Sequence, residues 1–270
     1  MATFVLNEKD GREKTALSSE YAQIWFDNRS KGTTIEIGLS NPPLNPARPN
    51  KPELVKTGEV PRRRPNTLNG QIAILHSIAH IELNAVDLHW DIIARFANIQ
   101  MPVGFYDDWV KSAQEESNHF NLICDCLEEL GSNYGDLTAH DGLWQAAIDT
   151  RDDLLGRLAV VPMVLEARGL DVTPNMIRLF EKAKLKNAVK ALKTIYEEEV
   201  SHVAYGSKWF NFLCGRNNLD PKIEFHRLVT KYFNGFLKPP FNEEKRADAG
   251  LPPDFYWPLA DQLNINTSYK

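Results

Sequence analysis

With 270 residues, 43% hydrophobic and 25% charged, the chain is long enough for one large domain or two small ones and has the make-up of an ordinary globular protein. A formal net charge of -5 gives no global pull toward nucleic acid or anionic membrane, and no apolar run approaches the roughly 18 residues that span a bilayer. The opening MATFVLNEKDGREK matches neither a signal nor a transit peptide, and Cys124, Cys126 and Cys214 fit reduced thiols, so a cytoplasmic location is expected.

Residues 1–65 read as a Pro-rich, extended N-terminal arm. Seven prolines fall between Asn41 and Asn66, each removing a backbone donor and biasing its predecessor toward extended geometry. Leu44, Leu54 and Val55 are its expected apolar anchors, and Arg62–Arg64 is a basic turn. From 66 to 236 apolar residues recur at spacings of three and four, the signature of amphipathic helices. One stripe runs Leu75, Ala79, Glu82, Val86, His89, Ile93, Phe96; a second Trp109, Ser112, Glu116, His119, Ile123, Cys126, Leu130. A third is Leu155, Ala159, Pro162, Glu166, and the last Leu192, Ile195, Glu199, His202, Gly206, Trp209, Leu213. The third helix is expected to end near Gly169, with Thr173 capping a short new helix and Pro174 at its first position. Residues 237–270 read as an irregular C-terminal arm packing on the bundle. The expected fold class is all-α: a ferritin-like antiparallel four-helix bundle with extra short helices and extended arms at both ends.

The chemistry lies in a repeat. EESNH covers Glu115 to His119 and EEVSH covers Glu198 to His202, so Glu116 with His119 and Glu199 with His202 each sit three apart on one helix face, about 5–6 Å apart at Cβ. A single Glu-x-x-His is most often a surface charge beside a satisfied histidine. Here all four residues fall on inward stripes, where a glutamate needs a partner or a cation. Each of these helices is preceded by one with an inward carboxylate, Glu82 or Glu166, at separations of 34 and 33 residues, as in two similar hairpins. One Glu from each of two helices plus a Glu-x-x-His from each of the other two is the ligand set of a ferritin-like di-metal carboxylate site. Asp152 is a weak rival to Glu166.

Around those six expected ligands, Glu115 and Glu198 are candidates to orient the histidines, with a solvated face as the alternative. His89 lies roughly 10.5 Å along the axis from Glu82, too far to share its metal, and is read with Trp90 as a pocket or core residue. Tyr205, one turn beyond His202, is the candidate redox residue. Pro162, one turn before Glu166, frees the carbonyl of Leu158 and kinks its helix. His76, His80, His140 and His226 are read as structural.

The stretches HSIAHIELNAVDLHWDII, AHDGLWQAA, LAVVPMVLEARGLDVTP, YEEEVSHVAYGSKWF and KPPFNEEKRADAGL, with ARPNKPELV and VPRR in the arm, resemble the ferritin-like family known as domain of unknown function 455, from about residue 45 to 251. The resemblance implies a four-helix ferritin-like bundle with Glu82, Glu116, His119, Glu166, Glu199 and His202 as its di-metal ligands, and it brings no established reaction. The architecture is also related to that of tRNA-modifying di-iron hydroxylases. Carboxylates with two imidazoles favour iron, with manganese as the alternative, and two such ions are the expected cofactors. The expected activity is a di-iron oxidase or monooxygenase that activates dioxygen to oxidise or hydroxylate a small organic or nucleoside-like substrate, with an external electron donor where the reaction needs one. A ferroxidase or iron-handling protein and a non-catalytic metal-binding bundle are the alternatives. No membrane partner is expected; the acidic total disfavours nucleic acid, although Arg62–Arg64 keeps tRNA open, and a homodimer is compatible with the sequence.

Overall fold

A computed structural model describes residues 1–33, 35–61, 63–233 and 236–260. Arg62, the first residue of the basic triplet, and residues 261–270 of the C-terminal arm lie outside the described residues. The fold is all-α: α1 (Ala2–Asn7), α2 (Gly11–Ser30), α3 (Leu68–Arg95), α4 (Val103–Glu129), α5 (Gly142–Asp149), α6 (Leu154–Val160), a π-helical segment (Val161–Glu166), α7 (Ala167–Lys182), α8 (Lys186–Arg216), α9 (Pro221–Tyr232), α10 (Glu243–Asp248) and α11 (Pro253–Tyr256). Among the described residues there is no strand, only isolated bridges pairing Leu54 with Ala139 and Leu237 with Ala260. The chain divides into two compact units, Met1–Ile148 with Ile177–Thr194, and Asp149–Met176 with Ile195–Lys270.

The first unit is organised by α3 and α4, which pack along their length. Thr67 caps α3 by accepting from the Gly70 amide, and the buried positions Leu75, Ala79, Glu82, Val86 and His89 follow the expected stripe. Glu82 meets His119, while His89, seven residues later, meets Trp109, ten residues earlier, so the two helices run antiparallel.

Residues 1–65 are not one extended arm. The first thirty are largely helical: Asp10 accepts from the amides of Arg12 and Glu13 to start α2, which packs on α4. The buried face of α2 is Thr15, Ser18, Ala22 and Trp25, mostly small or polar, so apolar periodicity gives little sign of it. Hydrogen bonding holds that face instead, with Ser18 Oγ donating to the Ala113 carbonyl and accepting from Trp90 Nε1 at 2.8 Å. The proline-rich stretch that follows is anchored through its backbone rather than through Leu44 and Leu54, which are 54% and 42% exposed. Lys14, Arg95 and Trp144 donate to the carbonyls of Ala47, Pro43 and Leu44, and Val55 N donates to Ala139 O.

In the second unit, Asp153 caps α6 and also accepts from the Tyr232 hydroxyl at 2.9 Å, tying α9 to α6. At Pro162 the helix widens into the π-helical segment, because a proline has no N–H to close the α-helical bond and its ring displaces the preceding turn. The ring fits against Gly206 of α8, where a Cβ would fall 2.6 Å from it.

Two expected helix boundaries are corrected. α7 runs through Gly169 and Thr173 without a break and holds Pro174 in its interior, so Thr173 caps nothing and no new helix begins there. The missing Pro174 N–H leaves the Leu170 carbonyl without its helical donor, and Asn242 Nδ2 donates to it at 3.1 Å. The C-terminal segment supplying Asn242 is not irregular up to residue 260: it forms α10 and α11 and is fixed by Arg246, whose Nε and Nη2 donate to Asp171 at 2.9 and 2.7 Å.

Candidate metal centre

Each unit gathers three of the six expected ligands. In the first, Glu82 projects from α3 and Glu116 and His119 from consecutive turns of α4. His119 Nδ1 lies 3.3 Å from Glu82 Oε2 and 3.3 Å from Glu116 Oε2, and the residues Glu82, Glu116 and His119 are 3%, 0% and 0% exposed. In the second, Glu166 ends the π-helical segment, and Glu199 and His202 lie one turn apart on α8, with His202 Nδ1 3.8 Å from Glu199 Oε2. Within each trio the donor atoms lie within 4.8 Å of one another, close enough to share one cation. Gly169 leaves room beside the Glu199 carboxylate, whose Cδ lies 4.0 Å from the position of a Cβ there.

The electrostatics of the first trio call for a positive charge. Burial holds the Glu82 carboxyl well above the ordinary carboxylate range, the neighbouring Glu116 carboxylate adds to the rise, and His119 opposes it. Among the described residues Glu82 Oε2 accepts no hydrogen bond of good geometry despite its proximity to His119. A divalent cation held there would favour the ionised form of both carboxylates. The donor set fits the ions expected for it: carboxylate oxygens with one imidazole per trio suit iron or manganese and offer no thiolate, since Cys124, Cys126 and Cys214 are free, buried thiols. In both trios Nδ1 is the ring nitrogen that faces carboxylate.

Glu115 is half-buried and pairs with Lys111 on its own helix at 3.4 Å, and Glu198 is half-buried on α8. His89 is buried and stacked on Trp109, ring centroids 5.3 Å apart, and Trp90 is held by Ser18; Tyr205 is half-buried on α8. Asp152 has an 88% exposed side chain beside Arg151 and is no rival to Glu166. The four structural histidines make structural bonds: His76 Nε2 accepts from the Gly135 amide, His80 bridges the Tyr134 hydroxyl and the His140 carbonyl, His140 Nδ1 accepts from the Gly142 amide, and His226 donates to the Phe255 carbonyl. Trp109 Nε1 and Ser112 Oγ, fully enclosed on the same stripe as Glu116, have no hydrogen-bond partner among the described residues. Stripe membership marks their burial.

The family model described as "Protein of unknown function (DUF455)" matches residues 7–257, nearly the whole chain. The chain belongs to this family. A Haemophilus influenzae protein described as "Uncharacterized protein" is 42% identical over 208 residues, covering 75% of this chain and 72% of its own length. No solved structure matches the chain. No helix among the described residues of this DUF455 protein is long and apolar enough to cross a membrane.

Proposed function

We propose that this DUF455 protein is a di-metal carboxylate oxidoreductase of ferritin-like type, in which Glu82, Glu116, His119, Glu166, Glu199 and His202 hold two ions, iron or manganese, and dioxygen is used to oxidise or hydroxylate a small organic substrate. The observation that carries this reading is the doubled trio. Each unit brings together two glutamates and one histidine with their donor atoms within 4.8 Å, all buried except the half-buried Glu166, built from a Glu-x-x-His and one carboxylate of the preceding helical stretch. Burying carboxylates without a cation is costly, and the recurrence of the same donor set in both units supports a ligand rather than chance packing.

The ions, when bound, supply the redox chemistry that lets dioxygen take electrons. The chain's own part is to hold four carboxylates and two imidazoles in a water-poor interior, with Glu82, Glu116, His119 and His202 almost wholly excluded from solvent. Hydroxylation consumes two electrons beyond those of the substrate bond, so an external donor belongs to the proposal, as does action in the cytoplasm.

The test is anaerobic Fe(II) loading of the full chain followed by an oxygen pulse, with visible absorption and oxygen uptake recorded. The reading expects a transient absorption in the wild type that Glu116→Ala and Glu199→Ala lose. Oxygen uptake equal in wild type and both variants would remove it. Stoichiometric Fe(III) product in a large assembly, unaffected by any organic substrate, would favour iron handling instead.

A further inference from the structure

We infer that the first unit carries a second ligand site, separate from the carboxylates: a cavity of about 410 Å³ that takes a neutral, apolar, ring-containing small molecule. Its walls include Trp25 from α2, Trp90 and Ile93 from α3, Tyr106 and Val110 from α4, and Ala97 just beyond α3. Protein interiors hold few voids larger than a water molecule, and ligand sites begin at roughly 300 Å³. An apolar cavity of about 150 Å³ accommodates benzene, so this one has room for roughly two to three fused or linked rings.

The polar groups around it determine what it takes. Trp25 Nε1 donates to Asp107 Oδ1 at 2.8 Å and Trp90 Nε1 to Ser18 Oγ at 2.8 Å, so both indoles have their N–H groups engaged and offer the cavity apolar surface. Asn28 Nδ2 and Ser40 Oγ, also in its lining, donate to the carbonyls of Ile24 and Ala94. With these four donors already used inside the protein, the inner part of the cavity offers a ligand carrying buried charge or several acceptors little compensation, and the charged Met1 amino group belongs to an exposed residue at its edge. Trp25 and Tyr106, 6.2 Å between ring centroids and tilted by 46°, suit edge or offset contacts with another ring. Glu36, the one carboxylate among the described residues of the lining, is exposed. Leu39, 82% exposed, belongs to the same lining, so apolar surface continues outward to solvent and gives an apolar ligand a route in.

This inference does not depend on the metal reading, and the metal-free protein tests it. N-phenyl-1-naphthylamine, a neutral two-ring fluorophore of suitable size, is titrated into the full chain. Saturable emission at one probe per chain is expected, with loss of tryptophan fluorescence as the probe fills. Ala97→Phe, which puts a ring into the cavity from a half-buried position, is expected to weaken uptake at least about tenfold at an unchanged melting temperature. Where Ala97→Phe does not fold, Ile93→Trp, also half-buried in the lining, serves in its place. No saturable uptake by the wild type, or equal affinity in a folded cavity-filling variant, would overturn the inference.

Discussion

Lys14 and Asp87 form an ion pair whose side chains are 1% and 2% exposed, and Lys14 Nζ also donates to the Ala47 carbonyl. Burial pushes Asp87 up to about 6 even though Lys14 pulls it down. A raised carboxyl pKa means the native state holds its proton longer than the unfolded chain. The pair therefore costs stability as pH rises from about 3.8 toward 6 and is level above. Removing only the lysine leaves a buried, unpaired carboxylate: Lys14→Met should lower unfolding free energy at pH 7 by about 3–5 kcal/mol, and Lys14→Met with Asp87→Leu should recover most of it in urea titrations. His80 works in the opposite direction. Burial lowers it to about 4, which fits its place between the Tyr134 hydroxyl and the His140 carbonyl. Its native state binds fewer protons than the unfolded chain between about 4 and 6.5, so its contribution is lost as pH falls through that window. The destabilisation caused by His80→Gln at pH 7 should therefore shrink at pH 4, by on the order of 2 kcal/mol. At this scale the sequence was most legible where spacing and chemistry coincide. Glu82, Glu116 and His119 interrupt apolar stripes and are buried against one another. Lys14–Asp87 left no such mark, because a pair 73 residues apart has no local periodicity.

Among the elements, the long helices α3, α4 and α8 were legible because a continuous apolar face was needed to bury them. α2 was not, since its buried face of Thr15, Ser18 and Ala22 is held by hydrogen bonds and close approach: a Cβ on Gly11 would come within 2.9 Å of the Phe120 ring. Pro174 shows a local rule overridden by tertiary structure. A proline after a threonine reads as a helix start, yet here a side chain 68 residues away satisfies the carbonyl that the proline abandons. The exchange is testable. Asn242→Ala should cost about 1–3 kcal/mol by leaving the Leu170 carbonyl without its donor, and should cost about 1 kcal/mol less in a Pro174→Ala background, where the restored N–H reaches the same carbonyl. Equal costs in both backgrounds, read from thermal or urea unfolding, would show that Asn242 acts through its bonds to Tyr196 and the Lys245 amide instead.

For the whole molecule, the sequence signalled a duplicated ligand pattern and an all-α fold, while the division into units was hidden. It falls at the end of α5 and inside α7 and α8 rather than at the proline-rich and C-terminal segments that composition singles out. Composition reports where helices are interrupted, and compactness depends on which distant faces meet. Each unit nevertheless carries one trio of two carboxylates and one histidine, and the account rests on those trios being metal sites. The direct measurement is metal content per chain by mass spectrometry, after purification without chelator and reconstitution with Fe(II) or Mn(II). Two tightly held ions per chain are predicted for the wild type, with at least one lost in Glu116→Ala and again in Glu199→Ala while the helical circular dichroism is unchanged. Fewer than one ion in the wild type, or the same content in wild type and both variants, would contradict it.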